Sequence, residues 1–287
     1  MAEQKKYRLR TDSEFKGPYS TFQIEALIDI PSKNVKAGDL GGWISSEKNL
    51  SHDGTCWVSD DALVIENAIV SEDAHIQKHA MVGGNATVSG YSDVTSKAKV
   101  GRASNIHNSR IGASALVEGS VNVLDSKIGG NTKLIGHAHI SNSTIVLNNG
   151  LISDEVNITN SKIFGTNIRI LNNVHVLSST VGNSVETNRD LLIHELAVIE
   201  KAVINSDEQV EIGGNAQILE HAWVKGKDIL INGMVIVKGH VRIRSHTSLK
   251  ELVVVDGGDV KPTAKGYYDL DNAVINGDTH VIFPKTS

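Results

Sequence analysis

The stretch Val58–Ile106 reads VSDDALVIENAIVSEDAHIQKHAMVGGNATVSGYSDVTSKAKVGRASNI, and an aliphatic residue falls on every sixth position of it. Those positions are Val58, Val64, Val70, Ile76, Val82, Val88, Val94, Val100 and Ile106, nine in register without a gap. Two residues before most of them stands a small one: Ala62, Ala68, Ala74, Ala80, Ala86, Ser92, Ala98 and Ser104. The unit is small–x–aliphatic followed by three mostly polar or turn-forming residues, as in Gly83-Gly84-Asn85. In a strand, residues i and i+2 face the same side. The small and aliphatic positions therefore point inward and the residue between them points to solvent. Three such faces close one triangular coil of about eighteen residues, the signature of a solenoid.

Beyond Ile106 the coil itself becomes the period. Ser109-Arg110-Ile111, Ser126-Lys127-Ile128, Ser143-Thr144-Ile145, Ser161-Lys162-Ile163 and Ser179-Thr180-Val181 recur every 17 or 18 residues. Leu134, Ile152 and Ile170 form a second row, and Val123, Ile140, Ile158 and Val176 a third. Asn108, Asn142 and Asn160 precede three of the serines and suit an asparagine ladder running from coil to coil. The register breaks around Gly182–Asp190 and resumes at Leu196-Ala197-Val198. The expected fold is all-β, a single-stranded parallel β-helix of roughly ten to twelve coils, with exposed ladders at both ends that need covering.

Residues 1–50 lack the repeat and are expected to cap it, with a strand at Tyr7–Leu9 and a strand or short helix at Thr21–Ile28. Trp43 and Trp57 are expected to seal that end of the core. Residues 51–250 form the β-helix. Residues 251–287 form a C-terminal cap, or an arm reaching a neighbouring subunit.

Composition agrees with a narrow, layered interior. Of the 287 residues 40% are hydrophobic but only 4% aromatic, so the core must be built from Val, Ile, Leu and Ala. The net charge of −5 argues against a general nucleic-acid binder, which needs a basic face. A single cysteine, Cys56, leaves no intramolecular disulfide and no multi-cysteine metal site. The charged start MAEQKKYRLR has no apolar signal core, and no run approaches the 18 or so apolar residues of a membrane span. A soluble cytoplasmic protein is expected.

The six-residue unit resembles the hexapeptide-repeat superfamily: Val82-Gly83-Gly84-Asn85-Ala86-Thr87 and Val100-Gly101-Arg102-Ala103-Ser104-Asn105 match its consensus in full. The resemblance implies a left-handed coil, a homo-oligomer that is often a trimer, and, in many members, acyltransferase activity with a histidine base between subunits. A closer resemblance covers nearly the whole chain. Tyr7-Arg8-Leu9, Ile24-Glu25-Ala26-Leu27, Val35-Lys36-Ala37-Gly38-Asp39-Leu40-Gly41-Gly42-Trp43-Ile44, Asn49-Leu50-Ser51 and Cys56-Trp57-Val58 are similar to the entry segment of YdcK-type β-helix proteins of bacteria and phages. Their transferase label follows from the repeat itself, and a fold does not carry a function with it.

Twelve histidines make any one of them weak evidence. His75, His139 and His175 sit mid-triplet and should face solvent; His79, His137 and His221 sit at turns. His194, beside the break in register, is the catalytic candidate, because a loop leaving a solenoid can wall a pocket. Asp60, Asp61, Glu66, Glu72 and Asp73 crowd the first coils, either as a solvated face or as a site for a divalent cation or a basic partner. Lys97, Lys99, Arg102, Arg110, Lys127 and Lys162 suggest a mild basic stripe without aromatic interleaving, which does not make a nucleic-acid platform. The Gly-Gly-Asn turns at 83–85, 129–131 and 213–215 are turn chemistry, since no strand-to-helix context makes them phosphate loops. The uniform coils favour a non-enzymatic structural or interaction protein, without cofactor, that presents flat solenoid faces to a protein partner. The alternative, an acetyl-CoA-dependent acyltransferase working between subunits, rests on the superfamily alone.

Overall fold

The computed structural model describes residues 5–16, 18–142, 144–146, 149–160, 162–163, 167–181, 190–206, 209–226, 228–244, 246–257, 268–270, 274–276 and 279–282. Among these residues the regular structure is strand, apart from two short 3-10 turns at Pro31–Lys33 and Glu47–Asn49. The chain divides into two compact units, Met1–Gly136 and His137–Ser287. Both are parallel β-solenoid, and together they make about 11 turns of about 18 residues.

In the first unit three inward rows run from coil to coil. One row aligns Val64, Val82, Val100, Val117 and Leu134. A second aligns Val70, Val88, Ile106 and Val123. The third aligns Val58, Ile76, Val94, Ile111 and Ile128. All these side chains are buried, as are the small residues Ala62 to Ser104 that precede them. Most strands between Trp57 and Ile111 are only two residues long, one residue out and one in. Each inward Val or Ile withdraws a modest apolar area, about 1.5–3 kcal/mol when fully buried, and the core is the repetition of that small gain.

The corners carry a second six-residue period that hydrophobicity does not reveal. Asp60, Glu66, Glu72, Lys78, Gly84, Gly90, Ser96, Arg102 and Asn108 all have left-handed backbone, with φ between 47° and 66°. A non-glycine residue there costs about 1–2 kcal/mol. The acids recover part of that cost through their side chains. Lys78 N donates to Asp60 Oδ2 at 3.0 Å, Gly90 N donates to Glu72 Oε2 at 2.6 Å, and Gly84 N donates to Glu66 Oε2. Each carboxylate thus staples its corner to the corresponding corner one coil on.

The asparagines read as a ladder belong to the same corner series. Asn108, Asn142 and Asn160 have φ of 47°, 49° and 50°, and Asn108 Oδ1 accepts from Tyr91 N at 3.0 Å. The serines beside them form the ladder instead. Ser109 N donates to Ser92 Oγ at 3.2 Å and Ser126 N to Ser109 Oγ at 3.0 Å, inside the corner. Ser143 and Ser161 lie outside the described residues.

The N-terminal segment is a meander. Strand β1 (Tyr7–Lys16) pairs antiparallel with β2 (Ser20–Ala26), and β2 with β3 (Leu40–Ile44). Strand β3 then pairs in parallel with the first coil, Trp43 opposite Leu63 and Ile44 opposite Val64, so coil register begins at Trp43. Trp57 is fully buried and lies edge-on to Tyr7, with ring centroids 6.5 Å apart. Gly41 leaves room for it, since a Cβ there would sit 2.7 Å from Trp57 Cζ2. The Tyr7 hydroxyl, its pKa raised by burial, donates to the Leu50 carbonyl at 2.8 Å. Trp43 occupies an outward position and is only half-buried.

In the second unit the rows are Ile152, Ile170, Ile193, Ile212, Ile231 and Leu249; Ile140, Ile158, Val176, Ile199, Ile218, Val237 and Val255; and Ile145, Ile163, Val181, Ile204, Val224 and Ile243. Ile170 and Ile193 are partners 23 positions apart (193 − 170), so the break adds five residues to an 18-residue turn. Its segment 182–189 lies outside the described residues. Farther on, Ile229–Lys238 and Ser248–Asp256 are long strands that carry two rows each. Val274–Asn276 and Thr279–Ile282 pair in parallel with Ser248–Asp256, and Tyr268–Leu270 with Val241–Ile243. No helix among the described residues is long and apolar enough to cross a membrane.

Candidate functional site

His194 follows the inward Ile193 and turns out at the corner. Its N–H donates to the Ile212 carbonyl at 2.9 Å, which fixes it against the next coil. The ring Nε2 lies 3.2 Å from Glu211 Oε1, and Nδ1 lies 3.8 Å from Glu195 Oε1. Gly213 forms the floor, where any Cβ would strike the imidazole. Glu195, at left-handed φ 62°, accepts the Gly214 N–H on its other oxygen at 2.6 Å. The ring is mostly covered, 16% exposed. Chemically this is an imidazole oriented by a carboxylate, which is half of a general base.

The other half would be a place for substrate. The neighbouring groove, about 380 Å³, is lined by Asn149, Asn167, Gln209, Arg169, Leu192 and Glu211 among others; it shares Glu211 with the histidine but His194 does not line it. Arg169, Leu192 and Glu211 occupy one outward column on three successive coils. A second groove, about 460 Å³, lies over two columns, His139–Asn157–His175 and His137–Glu155–Asn173. His139 and His175 are two coils apart, roughly 10 Å, too far to share one ion. Among the described residues no three His, Cys, Asp or Glu side chains gather so as to hold a metal.

The contacts of His75, His79, His107 and His246 follow one pattern. His75 Nε2 lies 2.7 Å from Ser59 Oγ, His107 Nδ1 2.9 Å from Ser89 Oγ, His79 Nδ1 3.5 Å from Asp61, and His246 Nδ1 3.1 Å from Asp228. Every one of these partners lies 16 to 18 residues earlier, one coil away, and Glu211 stands to His194 at 17 residues later. His194 is therefore one member of a set of coil-to-coil contacts. His75 differs from the expected solvent-facing residue: burial, and secondarily Lys33, holds its pKa below the usual histidine range.

The acidic cluster resolves likewise. Asp60, Glu66 and Glu72 take corner N–H groups, and Asp73 accepts from the Thr55 hydroxyl at 2.7 Å. The basic residues do not form one stripe in the first unit. Arg110 and Lys127 share a column, with Arg110 3.3 Å from Asp93; Lys99 stands in another column and Arg102 at a corner. Two features gave no sequence signal. Trp223 lies under Arg242 at 4.4 Å with Lys225 at 5.3 Å, and the His221 and His240 rings stack at 4.9 Å. Sequence alone shows two of these residues every 19 or so positions but not that their side chains meet.

No family model matches this chain, and no curated protein matches it either.

Proposed function

We propose that this chain is a non-enzymatic interaction protein that presents outward columns of its solenoid to a protein partner. The observation supporting this reading is the common use of the histidines: His194 makes the kind of neighbouring-coil contact that His75, His79, His107 and His246 make. A side chain recruited for catalysis would be set apart from that series, and would open onto a groove able to take an acyl carrier. The resemblance to YdcK-type proteins supports a bacterial or phage setting, and the superfamily pattern supports a homo-oligomer.

The second reading, an acetyl-CoA-dependent acyltransferase, draws on one specific feature, the carboxylate-oriented His194 next to the Arg169–Glu211 groove. Calorimetry with acetyl-CoA and coenzyme A separates the two. The expected result is no binding heat at millimolar ligand. Micromolar binding that is lost in His194→Ala would overturn the proposal and assign the site.

A further inference from the structure

Lys6 is the most deeply buried lysine among the described residues, at 1% exposure, and it ends on the chain's single cysteine, itself fully buried. Lysine is almost never placed there unless something engages its charge. Here Nζ lies 3.3 Å from the carbonyls of Asp53 and Gly54 and 3.2 Å from Cys56 Sγ. Neighbouring contacts hold both ends of the pair. The Lys6 N–H donates to His52 Nδ1 at 3.2 Å, Tyr7 stacks on the His52 ring at 4.4 Å, and Cys56 N donates to the Glu72 carbonyl at 2.8 Å. Two nucleophiles, an amine and a thiol, are thus presented to each other with little freedom to separate.

We propose that Lys6 and Cys56 are a covalent modification site, joined on exposure to dioxygen by an oxygen bridge from Nζ to Sγ. The step balances. One oxygen atom is inserted between nitrogen and sulfur; the other leaves as water with the thiol hydrogen and one amine hydrogen. Nitrogen and sulfur each give up two electrons, and dioxygen takes the four. The site favours this product and this oxidant. An inserted oxygen leaves nitrogen and sulfur closer to the separation already present than a direct S–N bond would. Dioxygen is small and apolar and reaches a buried thiol more readily than a hydrated peroxide does. Burial raises the Cys56 pKa above the usual thiol range, and the adjacent Lys6 offsets only part of that rise. The bridge ties the residue just before β1 to the first coil across 50 positions (56 − 6), and so acts as a redox latch on the N-terminal meander.

The test is intact-mass and peptide analysis of the full chain purified without oxygen, then held in air-saturated buffer. The expected product gains one oxygen and loses two hydrogens, links the peptides carrying Lys6 and Cys56, loses its thiol titre in denaturant, and reverts with dithiothreitol. Cys56→Ser abolishes the product. The proposal is overturned if the denatured protein keeps its full thiol titre. It is equally overturned if Cys56 is found only as a sulfinic acid, a direct S–N link or an intermolecular disulfide. The wild-type measurement decides the matter even if a variant fails to fold.

Discussion

The N-terminal meander and the coils that follow it bury apolar surface by opposite means. The meander concentrates its burial in a few large groups, Tyr7 and Ile24 with Lys6 beside them, and Tyr7 meets the one large ring of the first coil strand, Trp57. The coils from Val58 to Leu134 use many small ones, none larger than Ile or Leu, each meeting its equivalent in the next coil. The difference follows from position. A coil in the middle has identical neighbours on both sides, so small side chains in layers suffice. The terminal coil has a ladder with no successor, and the antiparallel β1–β2 pair with its aromatic residues takes that place.

The sharpest way to break this comparison is Trp57→Ala. With the ring fully buried and edged against Tyr7, the loss is about 3–5 kcal/mol in urea denaturation. Ile106→Val, a single methylene within the layers, should cost only about 0.5–1.5 kcal/mol. Equal losses from the two would mean that the meander is no more concentrated in its energetics than the coils.

The second largest effect lies in one corner column of the first unit, Glu66, Gly84, Arg102, Gly119 and Gly136. The first three have φ of 58°, 66° and 55°, the ordinary left-handed well; Gly119 stands at 120°. No L side chain is at ease there, and a Cβ would collide with the Gly136 carbonyl. Gly119→Ala should cost about 3 kcal/mol; Gly84→Ala, in the ordinary well but with its Cβ 2.7 Å from the Arg102 backbone nitrogen, should cost less, about 2 kcal/mol. The ratio can be read as midpoint shifts at constant m-value. If both cost the same, backbone strain is not what distinguishes the corner.

The inward rows were readable from sequence because period-two alternation inside a six-residue unit leaves a hydrophobic trace. The corners left none. A left-handed φ at Asp60, Lys78, Ser96 and Arg102 falls on polar residues of different charge, only the aspartate having a preference for that well, and polar residues fill the neighbouring turn positions too, so the column shows only in three dimensions. The acids at Asp60, Glu66 and Glu72 looked like a cluster because three corners fall close together in sequence, yet each points to a different backbone N–H. His194 was found through the break in register, but its seat was not, since Gly213 and Glu211 come from the next coil. Lys6 was invisible for the plainest reason: lysine in a polar N-terminal stretch gives no sign of burial.

The carboxylate staples supply the third prediction. Glu72→Ala removes the acceptor of the buried Gly90 N–H from a part-buried contact, so the loss should be about 1 kcal/mol. Glu66→Ala should add to it nearly independently, because the two corners share no partner. A double variant costing much less than the sum would show that the staples substitute for one another, and that the corner series is less regular than its geometry.

The smallest effect is one of pH, and it separates a half-buried histidine of the first coils from the acids around it. His75 has its pKa lowered in the folded chain, chiefly by burial and then by Lys33, and only partly restored by Asp93 and Asp60. The unfolded chain, with its histidine at about 6.5, therefore binds more protons below that pH than the folded chain does. Stability is full above about pH 6.5 and falls as the pH drops from there toward the folded-state pKa. Asp73 has the opposite chemistry and a separate window: its pKa is lowered, first by the Thr55 hydroxyl, so its contribution is present above the ordinary aspartate range and is lost only as the pH falls below that range. Urea titrations of the wild type and His75→Gln should thus run parallel above pH 7 and approach each other in mildly acid solution, where only the wild type pays for a second protonation state. Curves that stay parallel down to pH 5 would mean that the His75–Ser59 pair accepts a proton without cost, and that a half-buried histidine behaves here like the exposed ones.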